Sequence, residues 1–336
     1  MKHITIKDIA KELGISISTV SRGLAGDPKV KQHTRDLIVA TATRLGYRRN
    51  LLAANLRSNK PSAIGVILRD MHVPFASVFI KGVQEIFFPK EIKVIVADSQ
   101  RSSQTELQNI ELMESLAVDG LIASVCDTKE NRNSYIDLEN QRIPLVYVGS
   151  RPDFSTSSLI ITNDYKNAGA LTDHLISSGR KQIAHIGGPQ NIYCFSERNR
   201  GYYDSISKAK LEVPGNLSIN NKSSVEDGAE AVDRLIASEI GFDAIFAATD
   251  ILAIGAMNRL RQLGFRVPED VAIAGFSGSP LSTMTYPPLS TAEYPLEEIG
   301  RTAARLLLQK LENPDSLPET IEFDARIHLR GSSLIP

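Results

Sequence analysis

Ser16, Ile17, Ser18, Thr19, Ser21 and Arg22 form a dense run of recognition chemistry two residues after Gly14. A helix, a short turn with glycine and a second helix make the helix-turn-helix plan. The second helix of that plan enters the DNA major groove with its N-terminal residues at base edges. Arginine grips guanine with two parallel hydrogen bonds, serine serves as donor or acceptor, and isoleucine packs on a thymine methyl. On this logic Ile17, Ser18 and Arg22 read bases. Thr5, Ser16, Thr19, Ser21 and Asn50 are short polar groups suited to phosphate oxygens, which fix register. A plain three-helix bundle has the same periodicity, and these residues alone do not separate the two.

Charge favours the nucleic-acid reading. The chain of 336 residues has a net charge of −1. Residues 1–60 hold 12 Lys and Arg against 4 Asp and Glu; the remainder holds 26 against 35. A head of +8 on a body of −9 is the footprint of a nucleic-acid-binding module carried by a separate domain. Arg48, Arg49 and Lys60 belong to that head. Other classes are excluded or disfavoured. The two cysteines, Cys126 and Cys194, form no CxxC, so a disulfide scaffold or structural zinc is not expected. No apolar run approaches the ~18 residues of a membrane span. The N-terminal stretch lacks the apolar block of a signal peptide, so a soluble, cytoplasmic protein is expected. No G-x-S-x-G and no nucleophile-base pair is present, so an enzyme is not expected. Gly187-Gly188-Pro189 lacks the dinucleotide fingerprint.

The elements that must position the head follow from spacing. Ile4, Ile6, Ile9, Ala10 and Leu13 share one helical face. Thr5 is an N-cap candidate with Asp8 three residues on, and Gly14 a left-handed stop. A second helix starts at Ser16 or Ile17 with Val20 inward. A third runs from Val30 to Leu45 and ends at Gly46. A fourth, weak helix falls near Asn50–Arg57.

From Pro61 onward the pattern alternates. Strands are expected at Ala63–Leu68, Lys93–Ala97, Gly120–Ser124, Leu145–Val148 and Leu159–Ile161, with helices Phe75–Phe88, Ser103–Ala117 and Arg132–Asn140 between them. The pattern then repeats: helix Tyr165–Ser178, strand Gln182–Ile186, helices Ser196–Lys210 and Val225–Ser238, strand Ala244–Phe246, helix Ile251–Leu263 and strand Val271–Ala274. Helix Leu296–Leu311 and a strand pair, Thr320–Asp324 with Ala325–Leu329, close it. Such alternation predicts parallel sheets sandwiched by helices. Ligands of such sheets sit in the crevice at the strand C-terminal ends. Asp98, Ser99 and Gln100 follow the second strand, and Ser124 ends the third.

The stretches TIKDIAKELGISISTVSRGLAG and LGYRRNLLAANLRSNKPSAIGVI resemble the start of the LacI/GalR family of bacterial transcription regulators. Thr5, Asp8, Ala10, Gly14, Ser16, Thr19, Val20, Ser21 and Arg22 match the first motif of that family. Gly46, Tyr47, Asn50, Ala53 and Leu56 match the second, while Arg49 stands where the family usually has proline. The resemblance implies an α/β protein with an all-α helix-turn-helix domain over 1–60. A hinge helix at about 50–58 joins it to a periplasmic-binding-protein type I-like sensor over 61–336. The sensor has two doubly wound subdomains, about 61–161 with 291–322 and about 162–290 with 323–332. In the family two hinges lie together in the minor groove, so Leu56 would wedge into the central base step and Arg57 would follow it. Wedging costs a few kcal/mol of unstacking, which the bent DNA's added contacts offset.

The same resemblance proposes cleft residues. Asp70 opens a loop that runs to Phe75 and matches the family's N-P-F-F, and Phe75 would stack on a ligand face. Arg198 stands three before Gly201, as in the family's R-x-x-G, where the arginine grips the effector. Asp250 either caps a helix or touches ligand. Ser277 stands where the family commonly has an aspartate, and Tyr147-Val148-Gly149-Ser150 lacks another. With Arg151 and Arg198 nearby, an acidic or phosphorylated effector is expected; the opposing reading is a neutral sugar. Ser99 and Ser124 complete the set. Cys194 either lines the cleft or is a buried thiol. His174 and His185 are expected to be structural. The expected partners are a near-palindromic double-stranded operator, a sugar-like small molecule and a second copy of the chain, with no membrane and no cofactor. Nothing after Leu329 resembles an apolar heptad tail, so no tail-built tetramer is expected. Repression is the expected mode. The rival reading, a solute-binding protein without gene regulation, would lack the basic head.

Overall fold

Ile9, Ala10, Val20, Val30, Ile38 and Ala42 meet in one small core, and this juxtaposition folds the head. The computed structural model describes residues 4–24, 26–47, 61–71, 74–127, 129–212, 216–218, 223–239 and 241–334. Its contacts divide the chain into Met1–Lys60 and Pro61–Pro336. In the first unit α1 (Ile6–Leu13), α2 (Ile17–Leu24) and α3 (Gln32–Leu45) surround that core. The Asp8 carboxylate accepts from the Thr5 backbone N–H at 2.8 Å and from its hydroxyl at 2.7 Å, fixing the start of α1. Gly14 closes α1 at φ 66°, a conformation glycine adopts without steric cost. The weak fourth helix, with Arg48, Arg49, Asn50, Leu56, Arg57 and Lys60, lies outside the described residues.

The second unit begins with β1 (Ala63–Leu68), whose six residues are all buried. A strand covered on both faces reads as a continuous apolar run. Then follow α4 (Pro74–Phe87), β2 (Lys93–Asp98), α5 (Ser103–Ser115), β3 (Gly120–Ala123), α6 (Arg132–Asn140), β4 (Leu145–Val148) and β5 (Ser158–Thr162). The second half carries α7 (Asp164–Ser177), β6 (Ile183–Gly187), α8 (Tyr193–Lys208), β7 (Asn216–Ser218), α9 (Val225–Ala237), β8 (Ala244–Ala247), α10 (Asp250–Gln262) and β9 (Ala272–Ala274). The chain then returns through β10 (Thr291–Glu293), α11 (Leu296–Glu312), β11 (Thr320–Phe323) and β12 (Arg326–His328).

Two parallel sheets result. One has the order β11-β5-β4-β3-β1-β2, the other β7-β6-β8-β9. The closing strands do not pair with each other as the sequence led us to expect. β11 joins β5 in parallel at the edge of the six-stranded sheet, whereas β12 pairs antiparallel with β10. Both segments alternate as strands do, but alternation carries no information about the partner. β7 and β10, three residues each, were too short to stand out. Helix α8 starts at Tyr193 and not at Ser196. Ile192 at its N-cap offers no capping side chain, and Ser196 mimicked a cap.

One apolar cluster runs through both halves, from Phe79, Val83 and Leu307 to Leu171, Tyr202 and Phe246. Helices α4 and α11 pack backbone to backbone. A Cβ on Gly300 would collide with the carbonyl oxygen of Phe79, and one on Gly82 with that of Glu297.

Candidate functional site

Ser16 caps α2: its Oγ accepts from Thr19 N–H at 3.1 Å and lies 2.8 Å from both Ser18 Oγ and Thr19 Oγ1. Ile17 is 41% exposed. Ser16, Ser18 and Arg22 are exposed, while Thr19 and Ser21 are half-buried. Val20 is fully buried on the opposite side. Thr5 is tied to Asp8 as described. The helix therefore buries its apolar seam and presents the serines, isoleucine and arginine together. Asn50, Leu56 and Arg57 fall outside the described residues.

The second unit contains a cavity of about 540 Å³ between its two halves. That volume suits a small metabolite. Its walls are the C-terminal ends of the strands, as open α/β sheets dictate. Leu68 ends β1 and Arg69 and Asp70 follow it, Ser124 follows β3, and Val148 ends β4 with Gly149 after it. The four-stranded half contributes Cys194, Phe195 and Arg198 from α8, Thr249 and Ile251 around the start of α10, and Ser277 to Pro280. Tyr294 and the first turn of α11 complete it.

Asp70, Ser124, Arg198 and Ser277 are thus brought together. Asp70 is buried and holds Arg101, with Arg101 Nε at 2.7 Å and Nη2 at 2.6 Å from its Oδ2. Ser277 takes φ 113°, a region that favours glycine, and its N–H donates to Ala292 O at 2.9 Å. That strain is held by the surrounding ladder and aims the residue at the cavity. Cys194 is both buried and a wall of the cavity, so the two readings of it coincide.

Arg198 departs from expectation. Its Nε donates to Asp164 Oδ1 at 2.6 Å and its Nη1 to Ala248 O at 2.8 Å. Its guanidinium carbon lies 4.0 Å from the Phe276 ring centroid. Burial works against the charge, but the Asp164 carboxylate keeps the guanidinium above its ordinary pKa. Arg198 therefore enters the wall already neutralised. Arg151 is exposed and is not part of the wall. The two-arginine cleft expected from the sequence is not formed.

Ser99 and Asp250 are not brought to the cavity wall. Ser99 is fully buried, with its N–H on Leu68 O at 2.8 Å and its Oγ 3.4 Å from Asn109 Nδ2. Asp250 does not cap α10; Thr249 does, its hydroxyl accepting from Leu252 N–H at 3.3 Å. Asp250 is fully buried and accepts from Ser279 N–H and Thr291 Oγ1, each at 2.6 Å. Burial pushes its carboxyl up to about 6. It is a strut between the loop after β9 and the start of β10. The backbone of Phe75 belongs to α4, and its side chain lies outside the described residues. Sequence reasoning missed Arg69, Arg101, Asp164, Thr249 and Tyr294. Arg69 stands at the C-terminal end of β1 and was within reach of the crevice rule. The Asp164–Arg198 pair, 34 residues apart, has no local signature.

Among the described residues no group of three His, Cys, Asp or Glu is arranged to hold a metal ion. No helix among them is long and apolar enough to cross a membrane. A helix-turn-helix unit and a two-halved α/β unit with an interlobe cavity, on one chain, define a ligand-responsive DNA-binding regulator. Comparison with known proteins makes the class specific. Residues 5–50 match the family described as bacterial regulatory proteins, lacI family, and residues 172–333 match a periplasmic binding protein-like domain. Catabolite control protein A of Priestia megaterium is 32% identical over 330 residues, covering 96% of this chain and 98% of that protein. The solved complex of the transcriptional regulator CelR with cellobiose is 25% identical at a TM-score of 0.73, covering 98% and 100% of the two chains. The lac repressor dimer bound to operator and the anti-inducer ONPF is 22% identical at a TM-score of 0.80, covering 99% and 100%, a likeness of fold. The chain belongs to the LacI family of bacterial transcription regulators.

Proposed function

We propose that this regulator represses transcription as a homodimer on a near-palindromic operator, and that a sugar-like metabolite in the 540 Å³ cavity controls its grip. The observation that carries the reading is the exposed face of α2. Ile17, Ser18 and Arg22, with the capping Ser16, stand out from a helix whose other side is sealed in a core. A solute-binding protein without gene regulation has no use for that face. Ile17, Ser18 and Arg22 meet base edges, while Thr5, Ser16, Thr19, Ser21 and Asn50 hold phosphates. Leu56 wedges into the minor groove and Arg57 follows it. Cellobiose in the related CelR complex supports a saccharide-sized effector. The cavity acts as a sensor and not as a catalytic site, and the chain works in the cytoplasm. An effector shifts DNA affinity only by binding one arrangement of the two halves better than the other.

The test is a gel shift against a palindrome selected from random DNA by the full chain. The complex should weaken steeply with added salt as phosphate counterions are released. Leu56→Ala should lose specific affinity and keep nonspecific binding. Equal operator affinity of that variant and the wild type would refute the wedge. Failure of selection to enrich any sequence would refute operator recognition.

A further inference from the structure

Among the described residues the arginines that line the cavity are matched with carboxylates, with one exception. Asp70 is taken by Arg101, and Arg198 by Asp164. Arg301 is held by Glu85 at 2.7 Å, Glu297 at 2.6 Å and Glu298 at 2.7 Å. Arg69 lines the same cavity, yet its guanidinium meets no hydrogen-bond or ion-pair partner among the described residues. Its backbone is fixed nonetheless. It directly follows β1, and its carbonyl accepts from Arg101 N–H at 2.7 Å.

We infer that Arg69 is the anion-recognising residue of the effector cavity, and that the effector carries a carboxylate or phosphate group. The inference rests on the reading of this cavity as the effector site. Arginine stays charged at any working pH and presents a planar fork that fits either anion. Leu68, Val148, Phe195 and Tyr294 supply apolar surface nearby, and a charge beside such walls interacts more strongly than one in open water. Each of the other arginines of the wall has its carboxylate already, so among the described residues Arg69 alone has its full valence for a ligand. This places the acidic-group specificity on the six-stranded half, at a residue other than Arg198.

The experiment measures binding to the full chain by calorimetry and thermal shift with matched sets. They are D-glucose, D-glucuronate and D-glucose 6-phosphate; D-galactose and D-galacturonate; D-ribose and ribose 5-phosphate. We expect an acidic member to bind at least about 10-fold tighter than its neutral parent, since hydrogen bonds to charged groups are the strong ones. Which acid binds separates carboxylate from phosphate. Arg69→Gln should weaken the acid by about 10- to 100-fold and leave the neutral parent unchanged, while Arg69→Lys should restore part of the affinity. The unliganded Arg69→Gln variant should melt with the wild type, because the guanidinium has no partner to lose. A neutral sugar bound as tightly as its acid, or an acid bound equally by wild type and Arg69→Gln, overturns the inference and leaves the cavity reading standing. Binding of none of these compounds overturns the sugar-type cavity reading, and the inference with it.

Discussion

Arg198→Ala should destabilise the second unit severely, whatever the effector. The substitution strands Asp164, whose side chain is 1% exposed, with the Thr162 hydroxyl at 2.5 Å as its remaining side-chain partner. Breaking a buried ion pair by removing one member costs about 3–5 kcal/mol, because an uncompensated charge stays behind. The contact over Phe276 is lost too, and at 4.0 Å it adds up to ~2 kcal/mol. The carbonyl of Ala248 also loses its donor. For a unit of this size each kcal/mol moves the melting midpoint by about 2–4 °C, so a fall of about 8–15 °C is expected. Circular dichroism of the full chain during heating, without ligand, reads it. Adding Asp164→Asn should recover a substantial part of the loss, since neutralising the stranded charge removes the main cost. A melting midpoint within 2 °C of wild type for Arg198→Ala, or additive losses in the double variant, would refute the reasoning. In that event Arg198 would be free to serve as the ligand grip that the sequence motif implied.

Three further outcomes are expected. His185 is buried between Tyr202 and Phe246, ring centroids 4.8 and 5.1 Å away, and burial pushes its pKa down to about 4. Protons then favour the unfolded chain, so this stability is present above about pH 6.5 and falls by ~3 kcal/mol as pH drops to 4. Asp250, pushed up to about 6, works with the opposite sign: its folded carboxyl takes up a proton first and adds a similar amount between pH 6 and 4. Urea midpoints of His185→Gln should therefore rise on acidification relative to wild type, and parallel curves would contradict this. Gly300→Ala should lower the melting midpoint by several degrees, because overpacking costs about 1–3 kcal/mol and the obstacle is the backbone carbonyl of Phe79; an unchanged midpoint would show that α4 can yield. Arg22→Ala should weaken the selected operator by roughly 10- to 100-fold and leave nonspecific DNA binding nearly intact, as fluorescence anisotropy against both DNAs would record.

The legible part of this protein was the part written in local chemistry. Thr5, Asp8 and Gly14 announce α1, and Ser16 announces α2, because caps are made by neighbours in sequence. The alternation after Pro61 announced parallel sheets, since strands buried on both faces must be apolar throughout. The pairing of β12 with β10 was not legible, because register between strands more than 30 residues apart leaves no mark on either. The site was split in the same way. Asp70, Ser124 and Ser277 reach the cavity because they follow strands. Arg198 was found by its motif, but its partner Asp164 was invisible, and with it the neutralisation of that arginine. Ser99 also follows a strand, yet its side chain turns into the core.

The three places where the chain passes between the halves bear on how a ligand could act. At the first, Asn163 N–H donates to Phe323 O at 3.0 Å and so meets the third. The second, β10, pairs with β12 just beyond that same third passage. Asp250 then pins the start of β10 to the four-stranded half through Thr291. The passages are laterally bonded, so they bend together or not at all, and relative motion of the halves is confined to a common hinge. A ligand that touched one wall would bind every hinge angle equally and switch nothing, however tightly it bound. An effector of this regulator must span the cavity. Arg69 on the six-stranded side and Thr249 or Ser277 on the other are among the polar groups placed for such a bridge. Arg69→Gln should therefore reduce the effector's leverage on the operator as well as its affinity. At saturating effector the residual shift in operator affinity should be smaller than in wild type, and an undiminished shift would show that the charge contributes equally to every arrangement of the halves.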